Sequence, residues 1–281
     1  MSIPEVTRNY QLSISVLAVE VRFFLHRIGI DTHHSVGPTP KIEKLVNARR
    51  QEQSKLPIPF VLTDIHPHLD SWIKLSSESA NLSFIPQPVD AADPPTAVKS
   101  QSSPSANSSS PYRSDTRVYR LYCLAFHHFS NRLARKVLQS SMESSDGFAI
   151  VELQDRHLSS LILMLLDFIL IFVVTLPWFW RDPIQLLFTY VIPIMPFIMS
   201  FDGLVSCLRT RTFQEVLALI DTEVSGSVGV EASRISKEID EDGRIIQIAK
   251  RQDWVFKCGR EMHTWPFGNM NWIIGYKSPE V

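Results

Sequence analysis

Cysteine is scarce. Only Cys123, Cys207 and Cys258 occur, odd in number and far apart, so the chain offers neither a disulfide framework nor the paired spacing of a zinc site. A reduced, cytosol-facing environment is the expectation. Surplus charge is missing as well: 28 Lys and Arg stand against 29 Asp and Glu, and a net charge of −1 gives no global field to attract nucleic acid. Glycine is thin, at 10 residues, and nowhere clusters into a turn that would let backbone approach a phosphate or cofactor closely. No internal repeat is found, and no obligate protein partner is evident. The N-terminus reads poorly as a secretory leader, because Glu5 and Arg8 precede a weak apolar run at 12–19 that Glu20 and Arg22 soon break.

The residues present suffice for a real core. The 281 residues are 44% hydrophobic and 20% charged, which fits one large domain with additions or two small ones. Composition changes in three places. Residues 94–114 are rich in Ser and Pro and nearly free of large apolar side chains, so a disordered surface loop is expected there. Residues 161–201 are almost continuously apolar, with Asp167, Arg181 and Asp182 as the only internal charges. Residues 221–253 turn polar again, and a flexible connection with at most a short helix or strand is expected.

Four segments read as strands that end in polar residues: FVLTDIHPH (60–68), IPQPVDAADPP (85–95), YRLYCLAFHHF (119–129) and GFAIVELQ (147–154). In open α/β sheets, ligands sit at the carboxyl ends of such strands. The order and spacing resemble strands two to five of a class I S-adenosylmethionine-dependent methyltransferase. That resemblance implies a Rossmann-like α/β sheet and S-adenosylmethionine as cofactor. It places Asp64 on the cofactor ribose, and Asp90 and the Ala91 backbone N–H on the adenine. His127 or His128 then lies near cofactor and substrate as a proton acceptor. Turn chemistry is the other explanation of the two aspartates, and a packed structural role the other explanation of each histidine.

Where that family opens with a strand, an acidic residue and a Gly-rich turn, this chain keeps only Gly37-Pro-Thr-Pro40, leading into a helix over 41–53. The stretch 19–31 would supply the strand, Asp31 the acid and Gly37 the remaining cofactor contact. The sheet is therefore N-terminally incomplete in sequence. A catalytically inactive, methyltransferase-like membrane protein stays open beside the active enzyme.

Further along, a helix is expected over 131–140 with Leu133, Val137 and Leu138 on one face. Asp202 and Arg209 are candidates for the pocket mouth, while Thr212 and Glu215 have the spacing of a capping box. The segments WVFKCG and NWIIGYK would form a terminal antiparallel hairpin beside the 147–152 strand. The chain thus divides into a divergent 1–36 segment, an α/β core over 37–157, an apolar insertion over 158–201 and the rest of the core over 202–281.

The apolar insertion has the length of membrane segments. Residues 161–180 are long enough to cross a bilayer, with Trp178 and Trp180 as interfacial aromatics, and 184–201 come close, kinked at Pro193 and Pro196. Arg156, Arg209 and Arg211 flank the outer ends, which puts both ends and the α/β core on the cytosolic side. Membrane lipid and a small apolar or lipid-like acceptor are the expected partners. A soluble, hydrophobic substrate cover is the competing reading. A weaker alternative is a metal-dependent hydrolase, since His66, His68 and Asp70 resemble the HxHxD ligand run of binuclear metallohydrolases, although Ser71 stands where a further His is expected.

Overall fold

A computed structural model describes residues 38–94, 117–224, 235–240 and 243–278. Gly37, Asp31, the strand expected at 19–31 and the Ser/Pro-rich stretch after Pro94 lie outside the described residues.

Helix α1 (Thr39–Glu52) carries Pro40 in its first turn, where a missing N–H costs no hydrogen bond. Near its end Asn47 accepts from the Ile58 N–H (2.7 Å) and donates to the Ile58 carbonyl (2.9 Å), which fixes the approach to the next strand. Strand β1 (Phe60–Leu62), helix α2 (Leu69–Glu78) and strand β2 (Leu82–Phe84) form a parallel βαβ unit around Leu62, Trp72 and Leu82.

The larger sheet begins with β3 (Tyr119–Cys123) and β4 (Gly147–Glu152), joined by a 3-10 turn (Phe126–His128) and helix α3 (Asn131–Ser144). After β4 come helix α4 (Leu158–Phe179), the short α5 (Pro183–Leu186) with a π turn (Leu187–Val191), and helices α6 (Ile194–Arg209) and α7 (Phe213–Val224). The chain closes with β5 (Ser236–Ile239), β6 (Ile245–Arg251), β7 (Trp254–Thr264) and β8 (Gly268–Lys277). The order is β3-β4-β8-β7-β6-β5, with β3 parallel to β4 and every other pair antiparallel. The molecule is therefore mixed α/β, with a six-stranded mixed sheet and seven α-helices among the described residues. The terminal hairpin lies beside β4, as its sequence implies.

Both faces of this sheet are covered, and strand alternation sorts the side chains. Phe148, Ile150 and Ile273 point into a core closed by Val137 and Leu138 of α3 and Val216 and Ile220 of α7. Val151, Trp272 and Ile274 point the other way, toward Ile42 of α1.

Three expectations need correction. The segments read as strands two and three do not join the large sheet: among the described residues β1 pairs only with β2, and β3 only with β4. The third strand lies at 82–84 rather than in 85–95, because Pro86 and Pro88 cannot donate to a ladder and leave that stretch irregular. Within 221–253, read as a flexible connection, the chain builds β5 and β6. Ile246, Ile248 and Ala249 are buried there, and the net polarity of the stretch conceals their alternation.

On β7, His263 is buried with Nε2 2.9 Å from the Leu153 carbonyl. Burial lowers its pKa from the ordinary 6.5, more than that carbonyl raises it. Unfolding therefore takes up a proton between the two values. Stability should fall as pH drops from about 7 through the unfolded value of about 6.5, and this contribution should level off below the folded value. Thermal unfolding across that range should give a flatter pH dependence for His263→Gln than for wild type; identical slopes would assign the acid sensitivity elsewhere.

Candidate functional site

The parallel register sets Cys123 opposite Val151, so the two strands end side by side. The residues leaving β3 must then meet the last residue of β4. Leu124 leaves the strand at a positive φ of 54°, a strained conformation for a branched side chain, held by its N–H bond to the Val151 carbonyl (2.9 Å). The 3-10 turn next plants Phe126 in the core and brings His127 onto Glu152.

This contact is buried on both sides: His127 is 5% exposed and Glu152 4%. One carboxylate oxygen accepts the His127 backbone N–H at 3.0 Å, and the other lies 2.8 Å from Nδ1. Toward a carboxylate that only accepts, Nδ1 is the donor, which in the neutral imidazole places the lone pair on Nε2. His128 lies against His127 with ring centroids 4.1 Å apart and planes tilted by 41°, but is exposed. Its pKa is lowered by partial desolvation and then by His127, against the opposing pull of Asp202 and Glu152. Burial and then Glu152 push the thiol of Cys123 up to about 12, which keeps it in the unreactive protonated form.

Two arginines lock the turn from outside. Arg209, the last residue of α6, donates Nε to the His127 carbonyl (2.9 Å) and Nη2 to the His128 carbonyl (2.8 Å). Arg211 donates to the carbonyls of Phe126 (2.9 Å) and Phe129 (2.5 Å), with its guanidinium 5.3 Å from the Phe126 ring centre. Beside them opens a cavity of about 600 Å³ whose wall includes His127, Asn131, Arg156, Arg209, Arg211 and Glu215. Thr212 and Glu215 form the expected capping box, at 2.8 and 3.3 Å, and Glu215 also pairs with Arg156 at 2.7 Å.

The remaining candidates form a second group. Asp64 follows β1 and Asp90 lies on the loop after β2; the Val89 N–H bond to the Asp64 carbonyl (2.9 Å) joins the two loops. Both aspartates are exposed and each closes an Asx turn, Asp64 onto the His66 N–H and Asp90 onto the Ala92 N–H, both at 2.8 Å. Ala91 packs against the core that holds Phe126 and Val137. The fold thus gathers Asp64, Asp90 and Ala91 at one strand end and His127, His128 and Glu152 at another. It does not gather the HxHxD-like run. His66 and His68 are exposed loop residues, Asp70 opens α2, and no group of three or more His, Cys, Asp or Glu is placed to hold a metal among the described residues.

In sequence Glu152 stands out only as a polar strand end, and Arg211 only as a flanking charge. The signal for Glu152 is nonetheless there: two parallel strands close in sequence end together, so an acid ending one and a histidine pair after the other become neighbours. Set against known proteins, the chain matches no family model, no curated protein and no solved structure.

Proposed function

We propose that this protein is a class I-type, S-adenosylmethionine-dependent methyltransferase held in a membrane by its apolar hairpin, acting on a small apolar or lipid-like acceptor. The observation that carries the reading is the buried His127–Glu152 pair at the ends of β3 and β4. A carboxylate that fixes the tautomer and orientation of an imidazole on a cavity wall is the arrangement of a general base. Asp64 just after β1 and Asp90 on the loop after β2, beyond a parallel strand pair, together with the terminal hairpin beside β4, support the reading.

The residues present fit the cofactor in part. Asp64 is an exposed carboxylate free of burial constraints and suits the paired ribose hydroxyls, while Asp90 and the Ala91 N–H suit the adenine edge. When bound, S-adenosylmethionine supplies an electrophilic methyl group. The chain's own part is to orient the acceptor, exclude water and take a proton at His127 Nε2, with Glu152 steadying the imidazolium.

Membrane attachment rests on an inverted helix pair. In α4 the buried residues are Ser160 and Thr175, and in α6 they are Pro196, Ser200, Ser206 and Cys207. Leu165, Ile169, Val173 and Phe197, each at least 60% exposed, face outward. Water would favour the reverse, whereas lipid favours small and polar residues between helices. Both legs root in the same core, through Arg156 before α4 and Arg209 ending α6, so the α/β body lies on one side, assigned to the cytosol.

Calorimetric titration of the full chain with S-adenosylmethionine tests the reading. Asp64→Ala should weaken binding by about 1.5–3 kcal/mol, the range for hydrogen bonds to a charged group. Equal affinities would remove Asp64 from the site. No binding by the folded wild-type chain would leave the inactive, methyltransferase-like membrane protein in place of the enzyme.

A further inference from the structure

We propose that the arginine-lined cavity at the root of the apolar hairpin binds a phosphate-bearing lipid headgroup. The wall holds Arg156, Arg209 and Arg211 against one lining carboxylate, Glu215, and even with the buried Glu152 acting on Arg211 from behind His127 the positive charges are in excess. Their rigidity matters more than their number. Arg209 and Arg211 are already pinned by backbone carbonyls, and a guanidinium carries five donors, so Arg209 presents N–H groups beyond its two carbonyl bonds without having to be ordered on binding. Asn131 begins the 14-residue helix α3, whose N-terminal end adds a partial positive charge to the same wall.

The place of the cavity selects a lipid over free phosphate. Arg156 stands two residues before α4 and Arg209 ends α6, so the site sits where both legs leave the core. A 22-residue helix spans about 33 Å, which brings its root to the level of lipid phosphates once the hairpin is inserted. Leu208, 55% exposed near the end of α6, and Leu219 of α7 give the cavity an apolar side. His127 shares the wall, so the headgroup would lie beside the proposed base. The proposal rests on the membrane reading above, not on methyl transfer.

The test uses the full chain in nonionic detergent, titrated by calorimetry with dihexanoyl phosphatidic acid, dihexanoyl phosphatidylcholine and inorganic phosphate. Saturable binding is expected for phosphatidic acid, with the other two much weaker. Arg156→Gln should weaken it roughly fivefold, the worth of one basic residue near a membrane surface. Glu215→Gln keeps the capping box, since Gln serves that position equally, and should tighten binding by a similar factor. Phosphate binding as well as the lipid would make this a phosphate site, and equal binding of phosphatidylcholine would remove the role of charge. Either result overturns the proposal, as does an unchanged affinity in Glu215→Gln melting at the wild-type temperature. Carbonate extraction of membranes is a separate measurement, so failure of the membrane reading is distinguishable from failure of the headgroup site.

Discussion

His127→Asn should lower the proposed methyl transfer about 10²–10⁴-fold, the contribution of a positioned general base, with little change in unfolding temperature. Asn places its amide nitrogen where Nδ1 stands and so retains a donor for the Glu152 carboxylate, but it offers no basic nitrogen to the cavity. His127→Ala should lose as much activity and in addition about 3–5 kcal/mol of stability, because it strands a buried carboxylate. The contrast separates chemistry from packing. Glu152→Gln, which acts through His127, should reduce kcat while leaving KM nearly unchanged, as a positioning residue does. Transfer of tritium from methyl-labelled S-adenosylmethionine into extracted membrane lipid is the readout. His128→Ala should cost less, since its ring is exposed and its carbonyl, which Arg209 binds, survives the substitution. Full activity in His127→Asn would exclude His127 as the proton acceptor.

Legibility follows the physics of each segment. Strand β4 and helices α1 and α3 can be read because apolar periodicity and flanking polar residues coincide there; α3 starts at the expected Asn131 and only runs on to Ser144. The two faces of β6 are hidden by composition. The charged residues in and around the strand outweigh IIQIA, although strand register depends on alternation and not on net polarity. The placement of β2 is masked by a motif: Asp90 and Ala91 draw attention to a stretch whose prolines bar a ladder, while LSF just upstream is too short to stand out. At the site, His127 and His128 can be named from sequence but not ranked. The ranking comes from Glu152, a neighbour only through the β3–β4 register, and from the arginine clamp, whose members lie more than 80 residues from the carbonyls they hold. Sequence distance conceals such contacts because tertiary folding alone creates them.

The expressed protein should pellet with membranes and stay there through high salt and alkaline carbonate, which release only electrostatically held chains, and should come out in detergent. Helix α4 is long and apolar enough to cross a bilayer, with only 11% of its most apolar stretch buried. The second run returns as a bent pair, α5 with its π turn and then α6, at 73° to each other. Pro193 separates the two, and Tyr190 ties the bend to α4 by donating to the Phe172 carbonyl. A sharper test uses the outward face itself. Ile169 and Val173 are 60% and 65% exposed, and arginine near the centre of a membrane helix costs about 2.5–3.5 kcal/mol. The double variant Ile169→Arg/Val173→Arg should therefore move from the carbonate-resistant to the extractable fraction, or be degraded before insertion. On a helix that faces water the same two arginines would be harmless and would raise solubility. Unaltered stability together with full recovery in the detergent-free soluble fraction, for wild type and variant alike, would turn the hairpin into a hydrophobic cover of a soluble enzyme. The inward placement of Ser160, Thr175 and Ser200 would then need another cause.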